Sequence, residues 1–160
     1  MEAIFISFAD RLQTLFHEFD VVLEGLPVGA LDWVPGPGFN SLTVLATHSA
    51  GATRYWIGDV VVGDSSGRVR ASEFQTKGVE PTALRKQLAE VSAYCQKAVA
   101  TLTPADLDRA CDITMDPGKC TVAWALLHAM EHLALHVGHA QITRQFWEQQ
   151  SKRKNSTTPN

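Results

Sequence analysis

The feature that most constrains the fold of this chain is the stretch from Thr121 to about Gln149, which has the pattern of one long helix. It contains no proline, and its one glycine, Gly138, costs on the order of 1 kcal/mol relative to alanine within a helix. That glycine also permits the close approach of a neighbouring helix or a ligand. Apolar residues form a stripe along one side of the helix, so this stripe has to pack against other elements.

Three further stretches have apolar residues at spacings of three and four, which is typical of amphipathic helices. They cover residues 4–26, 41–62 and 81–102. Pro27 ends the first, Gly63 ends the second, and Pro81 suits the first turn of the third. Four long helices in one compact domain predict an all-α fold, and more narrowly a four-helix bundle. A crossover of about 18 residues between the second and third long helices is longer than antiparallel neighbours need, so we expect an up-down-down-up order.

The chain is predicted to form a single domain over residues 1–150, followed by a disordered polar tail over 151–160. Residues 31–40 are rich in proline and glycine and indicate an ordered loop. Residues 103–121 are irregular, and a β-turn is expected at 116–118, flanked by short strand-like pieces.

Charge and composition exclude several classes of function. With a net charge of −3 and a pI near 6.0, the chain lacks the basic stripe that neutralises nucleic-acid phosphates. No apolar run approaches the ~20 residues that span a bilayer. Glu2 stands where a secretory signal carries positive charge. The cysteines are odd in number and lack CxxC spacing, so we expect a cytoplasmic protein with neither nucleic-acid nor membrane partners.

Four histidines lie on one face of the last long helix, within about 80° of one another on a helical wheel. They are His128, His132, His136 and His139. Burying four imidazoles costs free energy unless each finds a partner, and protonated imidazoles this close would repel one another. A bound cation removes both problems, and two histidines spaced by four can present their nitrogens to one metal. The face therefore predicts half of a divalent-metal site.

A third ligand is needed, because catalytic metal sites usually have three protein ligands and an open position. His48 lies in the second long helix, flanked at helical spacing by Leu45 and Ala52, and is expected to face inward. His17 is displaced from the apolar stripe of the first helix and is expected at the surface.

Two segments carry a resemblance to a known family: SLTVLATHSAGATRYWIGDVVVG in the second long helix and EHLALHVGHAQITRQFW in the fourth. They resemble the DinB-like superfamily of metal-binding four-helix bundles. The resemblance implies one divalent metal bound by His48, His132 and His136, with His128 and His132 as the competing pair. The crossover residues 68–74 also resemble a stretch of that family. The resemblance implies no polymerase and no DNA binding.

Characterised relatives include transferases and isomerases that use low-molecular-weight thiols. We therefore predict a metal-dependent enzyme in which the site activates a small thiol, or water, for attack on a small electrophilic substrate. A metal-dependent hydrolase and a non-catalytic metal-binding or sensing bundle are the alternatives. Whether the chain is an enzyme, as a thiol S-transferase or a hydrolase, stays open at this point.

The remaining assignments concern cofactors and neighbouring residues. All-imidazole ligation suits zinc, nickel or iron, and a low-molecular-weight thiol is the possible second cofactor. His139 is expected behind the ligands as an orienting or proton-shuttling residue, while the catalytic residues themselves are not identified. Tyr55 and Arg70 are expected to contact the substrate, Arg70 through an anionic group. A homodimer is also expected.

Overall fold

The computed structural model describes residues 1–115 and 118–156. This part of the chain is mostly helical and contains one small two-stranded sheet. The helices are α1 (Ala3–Leu23), α2 (Val28–Leu31), α3 (Leu42–Arg54) with a π-helical continuation (Tyr55–Val62), α4 (Arg70–Glu73), α5 (Pro81–Val99), a 3₁₀ turn (Pro104–Asp106) and α6 (Val122–Ser156). The strands are β1 (Ala110–Ile113) and β2 (Gly118–Thr121).

The four stretches with helical periodicity are helical in the structure, as α1, α3 with its π-helical continuation, α5 and α6. Helix α6 extends to Ser156, whereas the sequence predicts an end near Gln149. Residues 151–156 therefore belong to this helix and not to the predicted disordered tail, and residues 157–160 lie outside the described part. The sequence after Gln149 is polar, so it contains no apolar periodicity from which a longer helix could be predicted.

The long helices pack in a closed ring, in which α1 and α3 each contact both α5 and α6. The apolar residues that recur at helical spacing along α1 are buried, among them Phe5, Leu12 and Phe19. The largest fully buried side chains include Phe19, Ile57 and Leu133. They belong to α1, the π-helical continuation of α3, and α6. Burial of each such side chain stabilises the fold by about 1.5–3 kcal/mol. This shared core holds α3 and α6 side by side.

Helix α3 changes character along its length. It begins at Ser41, whose Oγ accepts a hydrogen bond from the Val44 N–H. From Tyr55 the chain is π-helical, and it ends at Gly63, which has a positive φ of 78° that glycine adopts without a steric penalty. Because π-helical turns take up more residues than α-helical ones, side chains beyond Arg54 depart from the faces expected on an α-helical wheel.

The hairpin is antiparallel, with Cys111 opposite Cys120. The strand-like pieces expected in the irregular region are thus confirmed, while residues 116 and 117 of the predicted turn lie outside the described residues. The hydroxyl oxygen of Tyr55 accepts hydrogen bonds from the N–H groups of Thr114 and Met115, both at 3.0 Å. These bonds fix the end of β1 against the π-helical segment.

Two short helices lie between the long ones. Helix α2 ends where the predicted proline- and glycine-rich loop begins, and α4 lies within the polar crossover and packs against α3. This packing brings Glu73 to the face of α3 that carries His48. Among the described residues, no helix is long and apolar enough to cross a membrane.

Candidate metal centre

Three histidines converge from two helices: His48 from α3, and His132 and His136 from α6. The Nε2 atom of His132 lies 3.3 Å from Nε2 of His48 and 3.3 Å from Nε2 of His136. His48 is buried and the other two are half-buried. The two histidines of α6 stand together because residues four apart share one helical face.

This donor set fits a divalent metal ion. Two imidazole nitrogens held about 2.0–2.1 Å from a tetrahedral ion lie roughly 3.3–3.4 Å apart. Two of the nitrogen pairs in the cluster have a separation of 3.3 Å. Each neutral imidazole has only one N–H, so three Nε2 atoms that face one another cannot all pair among themselves. The three residues therefore present lone pairs that one cation would satisfy together.

Burial keeps the two histidines of α6 in the form that binds metals. Desolvation, followed by the closeness of the other imidazoles, lowers the pKa of His132 to about 3 and that of His136 to about 4. Both rings are therefore neutral at physiological pH, and a metal need not displace a proton to bind them.

Glu73 orients the His48 ring. Its Oε2 lies 2.8 Å from Nδ1 of His48, and its two oxygens accept hydrogen bonds from Nε and Nη2 of Arg68 at 2.6 and 2.8 Å. Burial alone would raise the pKa of Glu73, but the hydrogen bonds from Arg68 and His48 outweigh it and the net pKa lies below its ordinary value. A carboxylate accepts only, so Nδ1 of His48 carries the proton and Nε2 offers its lone pair to the cluster.

Space for this carboxylate comes from Gly51, one turn after His48 on α3. A Cβ atom at this position would overlap Oε1 of Glu73 and would lie 3.3 Å from Nε of Arg68. Any other residue at position 51 would therefore displace the pair that holds His48. Gly138 differs, because no atom among the described residues lies within 4 Å of a Cβ built there. The space that Gly138 leaves for a neighbouring helix is thus not used by the described residues.

The α6 histidines lack a comparable anchor. Nδ1 of His132 and Nδ1 of His136 are buried and have no hydrogen-bond partner among the described residues. Their orientation comes from the rigidity of α6 and from ring contacts, including a separation of 4.4 Å between the two ring centroids. The direction of the His48 ring is thus fixed by hydrogen bonding, whereas the directions of the His132 and His136 rings are fixed by the helix.

A cavity of about 510 Å³ opens beside the cluster, and we call it the histidine cavity. His48 and His132 form part of its lining, together with aromatic side chains of the π-helical segment and of α6. The hairpin closes one side through Ile113 and Met115. This volume is within the range that small-molecule sites occupy.

The other histidines lie in different surroundings. His128 lines the histidine cavity, with its ring centroid 5.9 Å from that of His132, and does not belong to the three-histidine cluster. His139 is exposed and lies beside His136 at 5.5 Å between ring centroids, where it lines a separate cavity with Phe39. The predicted role of His139 behind the ligands stays a prediction. His17 is exposed, as expected.

Both residues expected to contact the substrate line the histidine cavity. Tyr55 is 2% exposed, and its hydroxyl is already engaged by the backbone of the hairpin, so only its ring faces the cavity. Arg70 is exposed, and its guanidinium carbon lies 5.0 Å from the centroid of the Phe74 ring. Substrate contact by either residue stays a prediction.

Sequence reasoning missed three residues of this region. Trp56 is half-buried, packs against the core and also lines the cavity. Trp124 lines the cavity one turn before His128. Its spacing of four residues from His128 already indicated that the two side chains share one face of the helix. Glu73 was not assigned a role, and the signal for it was the unusual glycine at position 51 within a helix.

The chain matches the family model of the DinB superfamily over residues 11–140. No curated protein matches it. A conserved protein from Enterococcus faecalis has a similar structure, with a TM-score of 0.73, 17% sequence identity and coverage of 91% of this chain and 98% of that one. A DinB-like protein from Bacillus cereus gives a TM-score of 0.67 at 14% identity, covering 86% of this chain and 89% of that one. At such identities the two structures show a shared fold alone.

Proposed function

The chain belongs to the DinB superfamily, and from that premise we propose that it is a metal-dependent enzyme that activates a small thiol for attack on a small electrophile. In this proposal His48, His132 and His136 are the ligands of one divalent metal, with zinc, nickel or iron as the candidates. The observation that carries the proposal is the convergence of three Nε2 atoms beside a cavity of about 510 Å³. The ring of long helices is, in the same proposal, a four-helix bundle with an up-down-down-up order.

The lining of the histidine cavity favours a nucleophile that comes from outside the protein. Its described residues include no cysteine, serine, threonine, lysine or carboxylate. Cys95 is buried elsewhere, and this burial raises its pKa to about 12, so its thiol is unreactive. A small molecule therefore has to supply the attacking atom.

A thiol suits these surroundings better than water does. A thiol has a pKa near 8.5 against 15.7 for water. The site therefore has to lower the pKa of a thiol much less than that of water to deprotonate it near neutral pH. His48, His132 and His136 would hold a metal that supplies the positive charge favouring the thiolate form of such a thiol. In this proposal His128, which lines the cavity, accepts the thiol proton.

The test is thiol consumption by protein purified without a nickel column and reloaded with zinc, nickel or ferrous iron. Cysteamine, L-cysteine and glutathione serve as thiols and 1-chloro-2,4-dinitrobenzene as the electrophile. We expect turnover that needs both metal and thiol, that falls to background in His136→Ala, and that persists in the matched control His17→Ala. Turnover of p-nitrophenyl acetate without thiol would instead identify a hydrolase. Metal binding without either turnover would identify a non-catalytic metal-binding protein.

A further inference from the structure

One wall of the histidine cavity is an open aromatic surface. The rings of Trp124 and His128 are stacked, with centroids 4.8 Å apart and planes 10° from parallel. Trp56 stands edge-on to both, at 4.6 Å from His128 and 5.5 Å from Trp124. Trp124 is nevertheless 48% exposed. Its apolar face is therefore available to a ligand, and covering it would gain free energy.

The mouth of the cavity has an uncompensated positive charge. Arg68 lines the cavity, but its charge is neutralised by the bidentate pair with Glu73. Arg70 lines the same cavity, and the ion pairs found among the described residues do not include it. No aspartate or glutamate is found among the described lining residues. An anionic group would thus meet one free arginine and no opposing charge.

We propose that the histidine cavity binds a small molecule that combines a flat aromatic ring with a carboxylate. The ring lies against the aromatic wall formed by Trp56, Trp124 and His128, and the carboxylate pairs with Arg70. This inference rests on the proposed function, because it names the substrate class of the same site. A ring stacks on tryptophan and imidazole faces better than a saturated ring does, and one guanidinium matches one carboxylate in a bidentate pair.

Calorimetric titration of the zinc-loaded protein with 2-naphthoate tests the proposal. Two matched probes each lack one feature: naphthalene-2-methanol has the ring without the charge, and cyclohexanecarboxylate has the charge without the flat ring. We expect 2-naphthoate to bind about tenfold more tightly than either, because each missing contact is worth a factor of this order. Equal affinity for 2-naphthoate and cyclohexanecarboxylate would overturn the aromatic part of the proposal.

Two substitutions locate the contacts. Trp124→Ala and Arg70→Gln should each weaken 2-naphthoate binding about tenfold. In Arg70→Gln, 2-naphthoate should no longer bind more tightly than naphthalene-2-methanol. In Trp124→Ala, 2-naphthoate should still bind more tightly than this alcohol. Phe146→Ala and Arg11→Gln change exposed residues outside the cavity and serve as matched controls with unchanged binding. Unchanged binding in Trp124→Ala or Arg70→Gln would overturn the proposal.

The metal-site variant His136→Ala separates this inference from the proposed function. His136 is not among the described residues that line the cavity, so this variant should still bind 2-naphthoate, and Arg70→Gln should weaken that binding in it as well, after its helical content is verified by circular dichroism. If wild-type protein binds no metal while the naphthoate pattern holds, the proposed function fails and the aromatic carboxylate site stands. If His136→Ala abolishes naphthoate binding and Arg70→Gln does not, the carboxylate binds the metal and the inference is overturned.

Discussion

At the scale of single residues, the buried carboxylate of Glu73 determines what His48 can do. It lies 2.8 Å from Nδ1 of His48 and fixes the ring so that Nε2 faces the histidines of α6. The salt bridge to Arg68 keeps Glu73 ionised, since both side chains are about 8% exposed and pair at 2.6 Å. A neutral group at position 73 would hold the ring less firmly and would leave the buried Arg68 without its counter-charge.

The first prediction follows from this arrangement. Glu73→Gln keeps the shape of the side chain but removes its charge, and we expect affinity for zinc to fall about 10- to 100-fold. Competition with a chromogenic chelator measures this affinity. The matched control Glu131→Gln, at an exposed position next to His132, should leave it unchanged. The same affinity in Glu73→Gln and wild type would show that Glu73 does not position His48.

At the scale of elements, α3 uses one glycine to admit the side chain that orients its own histidine. Glycine within a helix normally costs on the order of 1 kcal/mol relative to alanine. At Gly51 this cost is offset by the packing of Glu73 and Arg68 against the helix backbone. At Gly138 of α6 the described neighbours offer no such compensation. The two glycines therefore predict opposite responses to the same substitution.

Gly51→Ala should lower the free energy of unfolding by about 1–3 kcal/mol, because the added methyl group collides with the Glu73 carboxylate. Gly138→Ala should raise it by up to about 1 kcal/mol, because alanine has the higher helix propensity and the site is open. Urea unfolding followed by circular dichroism measures both. A stabilising Gly51→Ala would contradict the packing described for α3 and α4.

Most of the long elements could be predicted from the sequence, because their apolar residues recur at the helical period and are bounded by proline and glycine. A histidine cluster on α6 could be predicted as well, since four histidines share one face, but the choice of His132 and His136 came from the family resemblance. The π-helical segment could not, because apolar periodicity over Tyr55–Val62 fits an α-helix equally well. Glu73 could not either, since its burial depends on the packing of a four-residue helix whose sequence is polar. The homodimer stays a prediction.

At the scale of the whole molecule, α1 and α5 are joined by an ion pair outside the core. Arg85 donates to both oxygens of Asp20, at 2.6 and 2.7 Å. The hydrogen bond from Arg85, assisted by its charge, holds the pKa of Asp20 below its ordinary value. A carboxyl whose pKa is lowered on folding contributes stability above its unfolded pKa, and this contribution is lost as the pH falls through the lowered value.

Asp20→Asn should therefore destabilise the protein at pH 7 and flatten the decline of stability below about pH 4. Solvent reaches both side chains, so the loss at pH 7 should be no more than about 1 kcal/mol. Urea unfolding across pH 2–7 measures it. Glu90→Gln, in the exposed pair between Lys86 and Glu90 on α5, is the matched control. It should leave the decline of the free energy of unfolding below about pH 4 unchanged. If the free energy of unfolding of Asp20→Asn fell as steeply below about pH 4 as that of wild type, the stabilising role of the Asp20–Arg85 pair would be contradicted.

The central claim concerns the molecule as a metal-binding protein, and its most direct measurement is the metal content of untagged protein after incubation with zinc, nickel or ferrous iron and gel filtration. We expect one equivalent of a divalent metal in wild type and in His17→Ala, and little or none in His132→Ala, because His132 lies between the other two ligands. Wild-type protein that retains no metal, or His132→Ala that retains a full equivalent, would contradict the account.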